Sequence, residues 1–237
     1  MQHKSMHYTA FIGVFGSRQI KQNKVINMAK NIIKIEPIRT KRITVTIVGD
    51  SDLVLNKMND INARTLIDKQ KNKQKKVEEL NEWEAIITAM HWRDGKPTDY
   101  SEEGLKDALK NNAPCLTTFG LKKSFEQAIV RNNIDKYSTK FRDGVNIIAP
   151  NGLVPITFAK HTVVEKLIAA QKGSPVLSRQ NVFAGWSATF DVQFVDGGEY
   201  SLEQILQIIG LAGFGGGIGS GRTSGYGRYH LDSVVAS

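Results

Sequence analysis

Apolar and polar residues alternate most regularly over 183–195, FAGWSATFDVQFV. Trp186, Ala188, Phe190, Val192 and Phe194 fall on one face, and Ser187, Thr189, Asp191 and Gln193 on the other. A period of two is that of a half-buried strand, so one strand is predicted across 183–195. Residues 43–48, ITVTIV, alternate in the same way and end at Gly49-Asp50-Ser51-Asp52, a strand and a turn; 53–55 extend the chain past it. Residues 228–235 read as a last strand. Residues 145–149 and 153–158 flank Pro150-Asn151-Gly152, which predicts a hairpin.

Elsewhere the period is helical. A helix is predicted from about 62 to 92, polar and basic at first. Leu80, Trp83, Ile86, Ile87 and Met90 then recur at spacings of three and four. Ser101 is placed to cap a helix reaching about Leu109, and Thr117 or Thr118 one reaching about Val130. Ser201 with Gln204 has capping-box spacing ahead of the stripe Leu202, Ile205, Leu206, Ile209 and Leu211, and Gly210 and Gly213 end that helix. The order predicts an α+β chain on an antiparallel sheet, a split βαβ or ferredoxin-like core with inserted helices and a C-terminal Gly-rich loop.

Charge changes the picture at the N-terminal side. The chain carries a net charge of +9, yet 1–76 hold 16 Lys/Arg against 5 Asp/Glu, and 77–237 hold 16 against 18. The excess peaks at 69–76, KQKNKQKK, within a helical, basic insertion at about 62–112. A basic region on a neutral body points to a polyanion partner, or to a solvated lysine-rich loop. Residues 1–27 read as a disordered extension or an upstream mis-start: the apolar patch at 9–15 is short and lacks a small-residue cleavage site. Residues 28–237 read as a single domain. With Cys115 the sole cysteine, internal disulfides and Cys-rich zinc sites are excluded, and a reducing, cytoplasmic setting is expected. No apolar run reaches membrane-spanning length, so no membrane partner is expected.

Candidate chemistry concentrates in 213–227, GFGGGIGSGRTSGYG, where eight of 15 residues are glycine. Glycine permits positive φ and close backbone approach, and successive N–H groups in such loops form anion sites. Residues 216–223, GGIGSGRT, come within one residue of the phosphate-binding pattern GxxxxGK[ST], with Arg222 in the lysine position. That pattern must follow a strand and open a helix, whereas here a helix precedes and a strand follows, so a nucleotide triphosphatase is not the reading.

Residues 211–231, LAGFGGGIGSGRTSGYGRYHL, resemble the C-terminal Gly-rich loop of the RAMP superfamily, the RRM-like RNA-binding proteins of CRISPR systems; Gly219, Gly221, Arg222, Gly225 and Gly227 match its style. Residues 43–55 resemble the family's opening strand, and Ser178-Arg179 ahead of the Trp186 strand resembles phage-encoded relatives. The resemblance covers 40–235 in outline and about the last 60 residues specifically. It implies an RRM-related fold holding single-stranded RNA, or DNA, by its backbone, as a homo-oligomer or a subunit of a multimeric complex. Gly217, Gly219, Gly221, Gly225, Gly227, Arg222 and Arg228 are the candidate phosphate contacts, with Tyr226 and Tyr229 for stacking or ordinary packing. Arg42, Lys122, Lys123, Arg179 and the 69–76 run extend a basic track.

Catalytic signals are sparse. Family endonucleases use a histidine; His161, near Lys160, is the candidate here and has no partner motif in sequence. Asp50 and Asp52 are the candidates for Mg²⁺, or simply a turn, since a site needs further oxygen ligands. The expectation is a non-catalytic nucleic-acid binder without cofactors. A metal-independent endoribonuclease, an Mg²⁺ nuclease and a structural or inhibitory protein-interaction module are the alternatives.

Overall fold

A computed structural model describes residues 37–71, 81–169 and 175–236. The elements are β1 (Thr40–Gly49), β2 (Leu53–Leu55), α1 (Asp60–Gln70), α2 (Glu82–Thr88), β3 (His91–Trp92), α3 (Glu102–Asn111), β4 (Pro114–Thr117), α4 (Thr118–Arg131) and α5 (Thr139–Gly144). There follow β5 (Val145–Ile148), β6 (Leu153–Thr157), β7 (Lys160–Ala169), β8 (Pro175–Ala184), β9 (Ser187–Val195), α6 (Leu202–Leu211) and β10 (Tyr229–Ala236).

The strand row β10-β1-β9-β5 is antiparallel throughout, with α4 in the connection from β1 to β5 and α6 between β9 and β10. That is the ferredoxin-like split βαβ arrangement. β6, β4 and β3 continue the sheet beyond β9, and β2-β8-β7 form a separate three-stranded sheet. The expected α+β antiparallel class is what the chain adopts.

Side-chain alternation explains which face is buried. Val45 and Ile47 of β1 and Ala188, Phe190, Val192 and Phe194 of β9 are buried on one face. Phe125 and Ile129 of α4 and Ile205, Ile208 and Ile209 of α6 meet them, with Phe125 and Phe190 ring centroids 6.3 Å apart. Local capping sets the helix starts: the hydroxyls of Ser101, Thr117 and Ser201 accept from the amides of Gly104, Gly120 and Gln204.

Three expectations are corrected. The strand predicted over 183–195 is two strands in different sheets, because Gly185 takes φ 58° and turns β8 into β9. Pro150-Asn151-Gly152 forms a 3₁₀ turn, yet β5 and β6 do not pair with each other: both lie along β9, Ile147 opposite Val192 and Ile156 opposite Ala188. The turn is therefore an excursion within one sheet row. The amphipathic helix ends at Thr88, not 92, because His91 and Trp92 pair with β4, and the Trp92 indole donates to Ile87 O at 2.9 Å. β7 and β8 up to Val182 also stand where no strand was predicted, the two joined in register from Lys160↔Ala184 to Ala169↔Pro175. Residues 1–27 and most of the 69–76 run lie outside the described residues. Among the described residues no helix is long and apolar enough to cross a membrane.

Candidate nucleic-acid interface

The glycine-rich segment is built by close approach. After α6, Ala212–Gly216 make a π-turn whose Gly213 sits against Tyr229, where a Cβ would overlap the Tyr229 carbonyl and ring. Ile218 is buried; its amide donates to Gly227 O at 2.9 Å, and the Gly227 amide donates to Asp52 O at 2.8 Å. Ser220 N donates to Val54 O at 2.8 Å, which lays the loop along β2. Gly221, in the left-handed region, opens a 3₁₀ turn over Arg222–Ser224, and Gly225, also left-handed, closes it.

This wiring decides which glycines face a ligand. The amides of Gly217, Gly225 and Gly227 donate to Ala212 O, Arg222 O and Asp52 O. Gly217 and Gly227 are buried, whereas Gly219, Gly221, Thr223 and Gly225 are exposed. Among the described residues the amides of Gly221, Arg222 and Thr223 have no hydrogen-bond partner. A left-handed residue followed by a helical one turns successive N–H groups toward one side, the geometry of a backbone anion nest.

Beside the loop is a cavity of about 260 Å³. Its walls come from β2 and the residues after it, the end of α2, β3, β4, the first turns of α4 and loop residues Ile218 to Arg222. Lys57, His91, Lys123 and Arg222 line it, and no Asp or Glu does. A concave surface of one charge sign with apolar walls focuses its field on an incoming counter-charge. Arg222 Nη1 donates to Gln127 Oε1 at 3.0 Å, which fixes the guanidinium without neutralising it. Lys123 Nζ reaches Glu126 Oε2 at 2.8 Å and stands 5.8 Å from the ring centroid of Phe119, a residue 71% exposed. Partial desolvation, then the Lys57 charge, holds His91 below its ordinary value. Cys115, also on the wall, is pushed up to about 11 by burial and stays a thiol.

The other sequence-derived candidates are placed apart from this cavity. Arg42 is tied to Asp191, which Thr44 also contacts at 2.6 Å. Lys122 Nζ donates to Arg142 O at 2.7 Å and Asn146 Oδ1 at 2.9 Å, and burial lowers its pKa. Arg179 bridges Glu165 and Glu82 at 2.8 and 2.7 Å. Arg228 Nη1 donates to Phe214 O at 2.9 Å. The Tyr226 ring lies under Lys166 Nζ, 4.9 Å away, and Tyr229 is fully buried against Trp186.

His161 stands in β7, packed on Phe183 with its Nε2 3.0 Å from Asn181 Oδ1; Asn181 is itself buried and donates to Ile86 O. Burial lowers the pKa of His161. Asp50 pairs with His230, and Asp52 is exposed. Among the described residues no group of three His, Cys, Asp or Glu side chains is placed to hold a metal ion. Sequence reasoning missed Lys57 after β2, His91 in β3, and Phe119 and Gln127 of α4, which only the tertiary fold brings together. The Thr117 cap and the Phe119–Lys123 spacing of four were the one local signal.

No family model matches the chain, and no curated protein matches it. Among solved structures, a chain of the "Cryo-EM structure of the Type III-B Cmr-beta bound to cognate target RNA" is similar at 10% identity with a TM-score of 0.47, over 84% of this chain and 61% of that one. The "Crystal structure of Cmr6 from Pyrococcus furiosus" is similar at 10% identity with a TM-score of 0.37, over 83% of this chain and all of that one. The chain thus spans about three fifths of the length of the first.

Proposed function

We propose that this protein binds single-stranded nucleic acid, RNA in preference to DNA, through the exposed part of the glycine loop and the cavity beside it. One observation carries the reading: Lys57 and Arg222, with the His91 ring and the Glu126-paired Lys123 beside them, converge on a concave surface lined by no carboxylate, next to unpaired backbone amides. Amides and basic side chains bind phosphates irrespective of base, so recognition is of the backbone. The resemblance of 211–231 to the RAMP loop supports RNA and a RAMP-like domain spanning 28–237 that acts within a multisubunit or homo-oligomeric assembly.

Fluorescence anisotropy with labelled single-stranded RNA and DNA, across a salt series, tests it. The expected result is tight binding at low salt that weakens steeply as salt rises, and weaker binding with Arg222→Glu. Absence of binding even at low salt overturns the reading and leaves a protein-interaction module.

A second reading, metal-independent RNA cleavage, is favoured by one observation. Asp50 holds His230 Nδ1 and leaves Nε2 for proton transfer, whereas the Nε2 of His161 is occupied. Cleavage of labelled RNA in chelator, lost in His230→Ala, is its test; intact RNA sets it aside.

A further inference from the structure

Among the described residues the rings of Tyr226 and Tyr229 are committed, one under Lys166 and the other in the core. Two phenylalanines are instead left to solvent, Phe119 at 71% and Phe214 at 84%. Phe214 lies in the π-turn, none of whose residues line the cavity. Phe119 is different. It sits in the first turn of α4, between Thr117 and Gly120, and both of these line the cavity. Residues four apart on a helix share a face, so Phe119, Lys123 and Gln127 form one ridge along the cavity rim. Lys123 is already drawn to the ring. An apolar ring of this size exposed beside a positively charged hollow has no packing role to account for it.

We propose that the cavity is a subsite for one unstacked nucleotide, its base laid on Phe119 and its phosphate held by Lys57 and Arg222. The proposal rests on the nucleic-acid reading above and adds a base-stacking residue to it. A hollow of about 260 Å³ is small as ligand pockets go and matches a single nucleotide rather than a stacked run. Stacking is tolerant of base identity because every base presents a π-face. The subsite therefore contributes affinity without reading sequence.

The experiment uses the full chain and short single-stranded RNAs carrying 2-aminopurine at successive positions. Binding by the unaltered protein is expected to change the fluorescence at one position more than at its neighbours. Phe119→Ala is expected to abolish that difference and weaken binding about 5- to 150-fold, the span of one lost base stack. The slope of log affinity against log salt should stay unchanged, because no charge is removed. Phe119→Trp should restore affinity, and Phe119→Leu should not. The exposed position leaves the fold intact in all three, checked by melting temperature. Wild-type affinity and an unchanged 2-aminopurine pattern in Phe119→Ala overturn the proposal while the binding reading stands. Failure of the unaltered protein to bind any oligonucleotide overturns both.

Discussion

His230 Nδ1 lies 2.6 Å from Asp50 Oδ1, joining the start of β10 to the turn that closes β1. The two residues are 180 positions apart, and register pairing of Val48 with His230 brings them together. The same turn is held by Ser51, whose hydroxyl donates to Gly225 O and accepts from the Arg228 amide. The glycine loop therefore has two unlike flanks: one at the carboxylate-free cavity, the other at Asp50.

Mg²⁺ should leave the protein unmoved. Asp50 is engaged with His230, and among the described residues no third ligand joins Asp50 and Asp52. Addition of Mg²⁺ at about 1–5 mM, ample for a carboxylate site of ordinary strength, is expected to leave the melting temperature unchanged. An upward shift that disappears in Asp52→Asn would reinstate a metal site.

The basic residues should separate into two groups on binding. Arg222→Glu is expected to weaken oligonucleotide binding for all sequences and to reduce the salt slope by about 1. Arg179→Ala should do neither, because its guanidinium is spent on Glu82 and Glu165. Equal losses in the two variants would place the strand along β7 and β8 instead.

Neighbouring glycines should respond very differently to alanine. Gly225 has φ 87° with open space around it, so Gly225→Ala should destabilise by about 1–2 kcal/mol, the cost of a left-handed Cβ. Gly227, at φ 71°, faces the Ile218 carbonyl, which a Cβ would overlap. Gly227→Ala should exceed about 4 kcal/mol or prevent folding. Urea denaturation of the two variants decides.

Acid should weaken the fold through two histidines. Burial lowers the pKa of His161 and, with Lys57, that of His91, from an ordinary value of 6.5. As pH falls below about 6.5 the unfolded chain takes up protons that the native rings resist, so stability declines; above that value both states are neutral and the dependence vanishes. His161→Gln should flatten the decline between pH 7 and 5. It should also leave any RNA cleavage intact, since the ring serves Asn181. An unchanged pH profile would show that His161 is not the group responsible.

The readable parts of the fold were the local ones. Ser101, Thr117 and Ser201 cap where their spacing to the helix says they should, and the alternation from Trp186 to Phe194 names the buried face of β9. Pro150-Asn151-Gly152 misled because a turn signal specifies a change of direction and not the strand that receives the chain. β7 and β8 went unread because their partners are each other and β2, with Leu167 and Leu177 still exposed, so no apolar face marks them. In the site, Gly219 and Arg222 were legible through composition. Lys57, His91 and Gln127 were not, because what unites them is tertiary proximity.

Gly185 joins β8 of one sheet to β9 of the other, and Trp186, next in line, is fully buried and donates to Ser51 O at 2.8 Å. The joint is tight, with a Cβ at Gly185 only 3.0 Å from that of Ala159 and the Ala184 carbonyl taken by the Ala159 amide; an added residue absorbed by sliding β9 one place along β1 would turn Ala188, Phe190, Val192 and Phe194 outward and drive Thr189, Asp191 and Gln193 into the core. The excursion at Pro150–Gly152 carries no such constraint, because Pro150 and Asn151 are exposed and an added residue can bulge into solvent while β5 and β6 keep their registers on β9. Chain length in related sequences should accordingly drift at the second point and stay fixed at the first.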